Sequence, residues 1–248
     1  TFFAERYGSA KSSISEDLTI IKETFEQRGI GLLTTVPGAA GGVKYIVKSN
    51  LEEAHSFINE MCDIMTEPNR ILPGGYLYMN DILGNPQVMK KVGRLIASIY
   101  AEKQIDVIMT VATKGIPIAY AIADYLNVPV VIVRPDNKVT EGPTVSINYI
   151  SGSSKRIQTM LLSKRSLEVG SKVLVVDDFM KAGGTINGMK SLLDEFNATV
   201  AGIAVLIESS DREERLVDNY VSLLKLAEVD EREKQIQVTK GNYFDLLK

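Results

Sequence analysis

From Gln87 onward, short and almost wholly apolar segments of the chain alternate with amphipathic ones. The apolar segments are predicted strands and the amphipathic segments predicted helices; in chain order they are Gln87–Glu102, Ile105–Val111, Ile116–Leu126, Val128–Val133, Lys172–Val176, Ile186–Phe196 and Val200–Ile207. Strands this apolar are buried on both faces, and the helices between them supply the crossovers of a parallel sheet. The alternation predicts an α/β fold that binds its ligand at the carboxyl ends of the strands.

One of these strand ends concentrates polar groups. The apolar run Val173–Val176 leads into Asp177 and Asp178, and Ala182-Gly183-Gly184-Thr185 then opens the next helix. Glycines let backbone N–H groups converge on a phosphate, a threonine hydroxyl adds a donor, and a helix N-terminus favours an anion. Neighbouring carboxylates accept hydrogen bonds from vicinal sugar hydroxyls. The string predicts a site for a phosphorylated sugar in preference to a structural turn.

This string resembles the phosphoribosyl pyrophosphate (PRPP) signature of type I phosphoribosyltransferases, in which two acidic residues and three variable positions precede Thr-Gly-Gly-Thr. The resemblance implies that Asp177 and Asp178 hold the ribose hydroxyls. It also implies a pyrophosphate loop after the strand that ends at Val111, with Mg²⁺ bridging phosphate and ribose oxygens. The remaining PRPP-binding residues that it implies are Lys181, Ala182, Gly183, Gly184 and Thr185 around the 5′-phosphate, and Thr113, Lys114 and Gly115 around the pyrophosphate.

Two departures from the enzyme pattern concern chemistry. Ala182 stands where a hydroxyl donor is expected, which removes one side-chain hydrogen bond to the phosphate and leaves the backbone amides. Enzymes of this class often place an acid or base two or three residues after the acidic pair, to take a proton from the incoming base. Met180 cannot move a proton, and Lys181 is a cation better suited to a phosphate or a purine carbonyl. The binding half of the signature is kept and the catalytic half is eroded.

The segment Asp136–Val169 is rich in Ser, Thr, Gly, Lys and Arg. It resembles the flexible hairpin that closes over PRPP in the enzymes, and an exposed loop with solvated charge is the alternative. Its basic residues are Lys138, Lys155, Arg156, Lys164 and Arg165, to none of which the pattern assigns a role. The C-terminal stretch Asp211–Lys248 is predicted to be helical and then strand-like at Gln235–Val238, completing a hood over the core.

The first fifty residues differ from the rest in charge. The chain of 248 residues has a net charge of −3, which divides into +1 for residues 1–50 and −4 for the remainder. Phe2–Tyr7 is predicted to be a helix that Gly8 breaks, and a second helix runs to about Arg28. Its apolar face has a 3.6-residue period and consists of Ile14, Leu18, Ile21 and Phe25. We expect a capping box at Ser13 and Glu16, with Ser9 as the alternative cap.

Two strands, Leu32–Val36 and Val43–Lys48, follow with a glycine-rich tip between them. Helix, break, helix and hairpin is the order of a winged helix-turn-helix, whose second helix enters the DNA major groove. The DNA-contacting candidates are Lys11, Ser12, Ser13 and Ser15 at the start of that helix and Lys44 on the wing. In that arrangement the acidic residues of the helix point away from DNA. A small helical subdomain with a solvated serine patch is the alternative.

Together, the two parts resemble the purine operon repressor family of Gram-positive bacteria over essentially the entire chain. The resemblance implies a winged-helix DNA-binding domain at 1–50, whose first helix precedes Thr1, and a phosphoribosyltransferase-like effector domain at 51–248. It implies a cytoplasmic homodimer that binds double-stranded operator DNA, represses purine biosynthesis genes and is released by PRPP. The guanine alarmone ppGpp is the implied competing ligand, and Tyr76 and Phe179 are the candidates to stack on its purine ring.

Other classes of function remain as alternatives. An active purine phosphoribosyltransferase with an N-terminal regulatory domain is the main one, and an RNA-binding attenuator on the same core is another. A single histidine, His55, excludes any site built on two histidines, and a single cysteine, Cys62, excludes an intrachain disulfide. No apolar run approaches the roughly 20 residues that span a bilayer, so we expect no membrane partner. We expect no catalytic residue, no resident cofactor and no metal held by the chain itself.

Overall fold

The structure is a computed structural model, and it describes residues 2–38, 41–136, 142–151, 156–210 and 215–247. Its N-terminal unit, residues 2–47, follows the predicted order of helix, break, helix and hairpin. The elements are α1 (Phe2–Tyr7), α2 (Lys11–Gln27), β1 (Gly31–Val36) and β2 (Gly42–Val47). The strands pair antiparallel from Gly31 with Val47 to Val36 with Gly42. The ring of Phe25 packs edge-on against Tyr45 on the hairpin, with centroids 5.5 Å apart.

The expected capping box of α2 is wrong. The helix begins at Lys11 with Ala10 in the capping position, so Ser13 lies inside the first turn and cannot cap it. Ser9 is not the cap either, since its hydroxyl donates to the carbonyl of Tyr7 at 3.3 Å. The physical reason is Gly8, whose positive φ of 62° turns the chain early enough for the helix to start two residues before Ser13.

The core, residues 51–247, is an α/β sandwich around one six-stranded sheet. Its helices are α3 (Leu51–Met65), α4 (Asn80–Leu83), α5 (Pro86–Tyr100), α6 (Gly115–Leu126) and α7 (Gly184–Glu195). Its strands are β3 (Ile71–Leu72), β4 (Tyr76–Leu77), β5 (Val107–Val111), β6 (Val130–Val133), β7 (Thr144–Ile150), β8 (Ile157–Ser163), β9 (Lys172–Met180), β10 (Thr199–Ser209), β11 (Val221–Asp230) and β12 (Gln235–Lys240). The order in the sheet is β12-β11-β10-β9-β5-β6.

The sheet is parallel from β6 to β11, with β12 antiparallel at one edge. Its central strand β9 is apolar on both faces, as the sequence predicted. Leu174 and Val176 lie in a core cluster with α3, α5 and α6, whereas Val173 and Val175 lie in a second cluster with α7 and β8. The parallel α/β fold is therefore confirmed. Two short antiparallel pairs, β3–β4 and β7–β8, lie outside the sheet.

The interpretation of the C-terminal stretch needs correcting. The segment expected to be helical and to complete the hood is β11, which pairs parallel with β10 in the main sheet. Val221, Leu223 and Leu224 are buried there. Their spacing fits one face of a helix as well as it fits a buried strand, and the neighbouring strand decides between the two. The predicted strand at Gln235–Val238 is confirmed as β12.

Candidate functional site

The acidic pair lies within a strand, not in the loop that follows it. The strand expected to end at Val176 continues to Met180, because β10 goes on pairing with it from Val205–Asp177 to Glu208–Met180. Asp177 is only 7% exposed, and the backbone N–H of Asp178 donates to its Oδ1 at 2.9 Å. Burial raises the pKa of Asp177 well above its ordinary value, and the charge of Asp178 raises it further. A buried carboxyl in this state gains from hydroxyl donors or a cation brought by a ligand.

The glycine-rich loop after β9 forms the turn into α7. Gly183 has φ 87° at the helix start, a conformation that favours glycine, and its carbonyl accepts the N–H of Asn187 at 2.8 Å. Space requires glycine as well, since a Cβ on Gly183 would lie 2.7 Å from Cγ2 of Val217. The first N–H groups of α7 have no partners within the helix itself and are available to an anion. Thr185 adds its hydroxyl in the first turn.

The loop after β5 meets the acidic pair from the neighbouring strand. The peptide between Ala112 and Thr113 is cis, Thr113 and Lys114 are exposed, and α6 begins at Gly115. A Cβ on Gly115 would lie 2.1 Å from Oγ1 of Thr110 and 3.6 Å from Cα of Asp177. The two strand ends that the sequence singled out separately thus meet at one edge of the sheet.

The hairpin β7–β8 packs against α7. Gly188 makes the close approach possible, because a Cβ there would lie 2.9 Å from Cγ of Tyr149 and 2.8 Å from Cε of Met160. The phenol of Tyr149 donates to Oε1 of Gln158 at 2.8 Å. Burial raises the pKa of Tyr149, and the hydroxyl of Thr185 beside it lowers that pKa in part. The sequence assigned no role to Tyr149, yet this residue joins the hairpin to the helix that the glycine-rich loop opens.

Three basic residues of the hairpin segment are described in the structure, and all three are solvent-exposed: Arg156, Lys164 and Arg165. In the sequence they are well separated from the acidic pair. Lys138 and Lys155 lie outside the described residues. The two purine-stacking candidates differ in environment. Tyr76 is 58% exposed on β4, whereas Phe179 is partly buried against the core cluster of α3, α5 and α6. Stacking between them and a ligand stays a prediction.

The five DNA-contacting candidates are all solvent-exposed. Lys11 and Ser15 are four residues apart on α2 and therefore share a face, with Ser12 beside them. Ser13 lies two residues from both Lys11 and Ser15 and points to a different side of the helix. Lys44 lies on β2, where its backbone carbonyl accepts a hydrogen bond from the Thr34 hydroxyl at 3.3 Å. The structure thus brings Lys11, Ser12 and Ser15 together and separates Ser13 from them.

Sequence reasoning missed a buried polar cluster beside the glycine-rich loop. Glu208 is the second-last residue of β10 and is only 5% exposed, and it is bonded to Arg215, Tyr220 and Ser222. The one available signal was a lone acidic residue at the end of an apolar strand, next to the strand that carries Asp177. The partners of Glu208 follow in a stretch interpreted as polar and helical, where no spacing marked them.

Comparison with known proteins gives two matching families. Residues 1–47 match the family described as bacterial purine repressor, N-terminal, and residues 79–239 match the phosphoribosyl transferase domain family. The purine biosynthesis transcriptional repressor PurR of Bacillus subtilis is 67% identical over 248 residues, which cover 100% of this chain and 87% of that protein. The purine biosynthesis transcriptional activator PurR of Lactococcus lactis (strain IL1403) is 52% identical over 242 residues, covering 98% and 89%.

Among solved structures, adenine phosphoribosyltransferase from Rhodothermus marinus aligns with a TM-score of 0.59 at 22% identity, covering 69% of this chain and 99% of that one. This likeness concerns the fold of the core. In the described part of the chain, no helix is both long and apolar enough to cross a membrane.

Proposed function

The chain belongs to the family of bacterial purine-biosynthesis transcription regulators, and we propose that it represses purine genes by binding operator DNA and is released from that DNA by PRPP. The observation that carries the proposal is the meeting of two polar strand ends, at Asp177 and at Gly115, in a regulator's core. The buried Asp177, the partly buried Asp178 and the α7 N-terminus suit a ligand with ribose hydroxyls and a 5′-phosphate. The exposed loop at Thr113 and Lys114 suits its pyrophosphate.

Repression is favoured over activation by similarity. Relatives carry both names, and the repressor relative is 67% identical whereas the activator relative is 52% identical. Transcription from a purine-gene promoter in a purified system distinguishes the two. Added protein is expected to lower transcript yield, and PRPP is expected to restore it. A rise in transcript yield would assign the chain to the activators.

The parent activity of the fold, transfer of a ribosyl group to a base, is the second candidate. Met180 argues against it, because its side chain is 2% exposed in the core and carries no proton to exchange. We expect that incubation with PRPP and each common nucleobase yields no nucleotide. Clear turnover would replace the repressor-only interpretation with that of an enzyme that carries an N-terminal regulatory domain.

Release of DNA by PRPP follows from charge and from differential binding. A ligand shifts an equilibrium only if it binds the two states differently. PRPP adds several negative charges at the acidic edge of the sheet and orders the hairpin whose exposed residues include Arg156, Lys164 and Arg165. Asp177 and Asp178 would be the residues to hold Mg²⁺ if PRPP brings it, and the cation would supply positive charge that favours ionisation of Asp177, whose pKa is raised by burial and further by the charge of Asp178.

The same pocket is the proposed site of ppGpp, which competes with PRPP and favours the DNA-bound state. Tyr76, exposed on β4, and Phe179 are the proposed stacking partners of its guanine. The proposed assembly is a homodimer formed through the core, with residues 1–50 as the DNA-binding domain and 51–248 as the effector domain. Light scattering of the full chain with and without ligand tests the dimer.

A gel shift on purine-promoter DNA tests the proposal as a whole. The protein is expected to retard duplex DNA, PRPP to abolish the shift, and ppGpp to protect it. Asp178→Asn should leave the shift intact and make it insensitive to PRPP. Asp63→Asn, at an exposed carboxylate on α3, is the matched control and should behave as wild type. If the PRPP concentration that releases the wild-type protein from DNA also releases the Asp178→Asn variant, the inducer site lies elsewhere. Stronger retention of single-stranded RNA than of duplex DNA would favour an RNA-binding attenuator.

A further inference from the structure

Glu208 is a buried carboxylate with a full set of hydrogen-bond donors. It is the second-last residue of β10 and pairs with Met180 of β9. Its Oε2 accepts from Nη1 of Arg215 at 2.6 Å and from the hydroxyl of Tyr220 at 2.6 Å, and its Oε1 accepts from Oγ of Ser222 at 2.7 Å. The side chain of Arg215 is itself largely buried, at 18% exposure. Such a cluster fixes geometry, because each member left alone would be a costly unpaired group.

The cluster fixes the segment 215–222 to the sheet. Nη2 of Arg215 donates to the carbonyl of Ser209 at 2.5 Å, and Nη1 also contacts the hydroxyl of Tyr220. The backbone N–H of Ser222 donates to Oδ1 of Asn242, whose Nδ2 donates to the carbonyl of Tyr220, both at 2.8 Å. Both ends of the segment are therefore tied down.

The same segment holds the phosphate loop from behind. The N–H of Leu216 donates to the carbonyl of Ala182 at 2.9 Å. The side chain of Val217, which is buried, fills the space that a Cβ on Gly183 would need, at 2.7 Å. Ala182 is the position at which the enzyme pattern has a hydroxyl. In this chain the loop at Ala182 is held through its backbone by a neighbouring segment.

We propose that Arg215 and Glu208 form a clamp that positions the loop Ala182–Thr185 for the 5′-phosphate of the ligand, with Arg215 acting as a positioning residue and not as a ligand contact. The two terminal nitrogens of the guanidinium are bonded to Glu208 and Ser209, whereas its buried Nε has no hydrogen-bond partner among the described residues. The guanidinium acts on the loop through Leu216 and Val217. The inference rests on the proposed function, since it assumes a ligand with a 5′-phosphate. The clamp has no role at the loop Thr113–Gly115 in this proposal. That loop follows β5, which pairs with β9 on the side opposite to β10.

Selectivity between two ligand fragments tests the clamp. Ribose 5-phosphate reports on the loop Ala182–Thr185, and inorganic pyrophosphate reports on the loop Thr113–Gly115. Arg215→Met should lower the affinity for ribose 5-phosphate by about tenfold, the scale of one hydrogen bond to a charged group, and should change that for pyrophosphate by less than about twofold. Arg215→Lys, which keeps the charge near Glu208, should recover part of the loss. Titration calorimetry on the full chain measures both affinities.

Two further variants separate positioning from general stability. Tyr100→Phe removes a buried hydrogen bond to the carbonyl of Ile203 on the same strand β10, at 2.8 Å, away from the phosphate loop. It should leave both affinities unchanged. Glu208→Gln keeps the shape and one acceptor oxygen, so it serves if Arg215→Met fails to fold, and the same selective loss is expected.

The outcomes distinguish failure of the clamp from failure of the proposed function. If Arg215→Met lowers the affinity for both fragments equally, or for neither, the clamp is overturned. The proposed function stands in that case as long as the wild-type protein binds PRPP. A wild-type protein that binds neither PRPP nor ribose 5-phosphate would overturn the proposed function, and the clamp with it.

Discussion

At Gly115 the backbone passes so close to β5 that a single methyl group has no room. An ideal Cβ would lie 2.1 Å from Oγ1 of Thr110, and the next atoms are Cβ of Thr110 at 3.5 Å and Cα of Asp177 at 3.6 Å. Thr110 is fully buried, and its Oγ1 has no hydrogen-bond partner among the described residues. One oxygen atom therefore decides whether this position accepts a side chain.

Gly115→Ala should destabilise the fold by about 1–3 kcal/mol, the usual cost of overpacking, and should weaken PRPP binding at this loop. Thr110→Ala removes the clashing oxygen, so the double variant Thr110→Ala with Gly115→Ala should recover most of the lost stability. Thermal unfolding of the four proteins in the cycle measures the coupling. Additive effects of the two substitutions would contradict this account.

Asp177 makes stability depend on pH in a definite direction. Its pKa is raised in the folded state by burial and by Asp178. Below about pH 3.9 the carboxyl is protonated in both the folded and the unfolded chain and costs nothing. Between that pH and the pKa of Asp177 in the folded state, the carboxyl ionises in the unfolded chain and stays protonated in the folded one. This ionisation stabilises the unfolded chain, so the free energy of unfolding falls as pH rises.

Asp177→Asn should therefore unfold at a higher temperature than wild type at pH 7 and at nearly the same temperature at pH 3.5. It should also lose PRPP-induced release of DNA, since it removes an acceptor for the ribose hydroxyls. Asp218→Asn, at an exposed carboxylate, is the control and should show no such pH-dependent gain. A gain for Asp177→Asn that is equal at both pH values would mean that its ionisation is not the cause.

Among the elements, the hairpin β7–β8 depends on a helix that has a glycine in its contact face. Tyr149 and Met160 occupy the space beside Gly188. On an exposed helix, alanine in place of glycine would stabilise by about 0.5–1 kcal/mol. Here the added methyl group would instead push the hairpin off α7.

Gly188→Ala should therefore speed amide hydrogen exchange in β7 and β8 while leaving α7 protected. Asn187→Ala, at the exposed neighbouring position, is the matched control and should leave the hairpin unchanged. Unaltered exchange in residues 144–150 of the Gly188→Ala variant would show that the hairpin does not rely on this contact.

Prediction from sequence succeeded for elements whose signal is local. Gly183, Gly184 and the flanking apolar strand mark the turn from β9 into α7 within a dozen residues. It failed where a neighbour in space decides. The last four residues of β9 stay in the sheet because β10 pairs with them, although their carboxylates resemble the start of a loop.

The clamp at Glu208 lay beyond sequence reasoning for a related reason. Its residues are spread from Glu208 to Asn242, and they meet only because β11 returns to the sheet beside β10. Since β11 was interpreted as a helix, nothing in the sequence brought Tyr220 or Ser222 near the end of β10. Because β11 was predicted to be a helix, the cluster that lies beside the loop Ala182–Thr185 was not recognised from the sequence.

In the molecule as a whole, Arg94 of α5 joins the core to the N-terminal unit. Its Nη2 donates to the carbonyl of Gly29 at the end of α2, at 3.1 Å, and its Nε donates to the carbonyl of Lys48 at the end of β2, at 3.0 Å. An ion pair to Glu53 at 3.5 Å orients the guanidinium. One core side chain thus holds the chain both just after α2 and just after β2.

Arg94→Met should leave each part folded and lower operator affinity by about tenfold, the scale of hydrogen bonds to a charged donor, because the N-terminal unit loses its fixed orientation. Lys91→Met is the matched control, since it removes an exposed cation from the same helix, paired to Glu60 at only 3.9 Å. Gel shifts at constant salt measure both. Equal affinities for the Arg94→Met and Lys91→Met variants would show that Arg94 does not couple the two parts.

The strand order has a consequence for synthesis of the chain on the ribosome. The strands β1 and β2 of the N-terminal unit pair with each other within residues 31–47, whereas β5 meets its central neighbour β9 only after α6, β6, β7 and β8 have followed it in the chain, with Asp106 and Lys172 separated by 66 positions. Pairings this distant in sequence form slowly, and units with local contacts fold first during translation. The N-terminal unit of a nascent chain is therefore expected to fold before the sheet that joins β5 to β9 is complete.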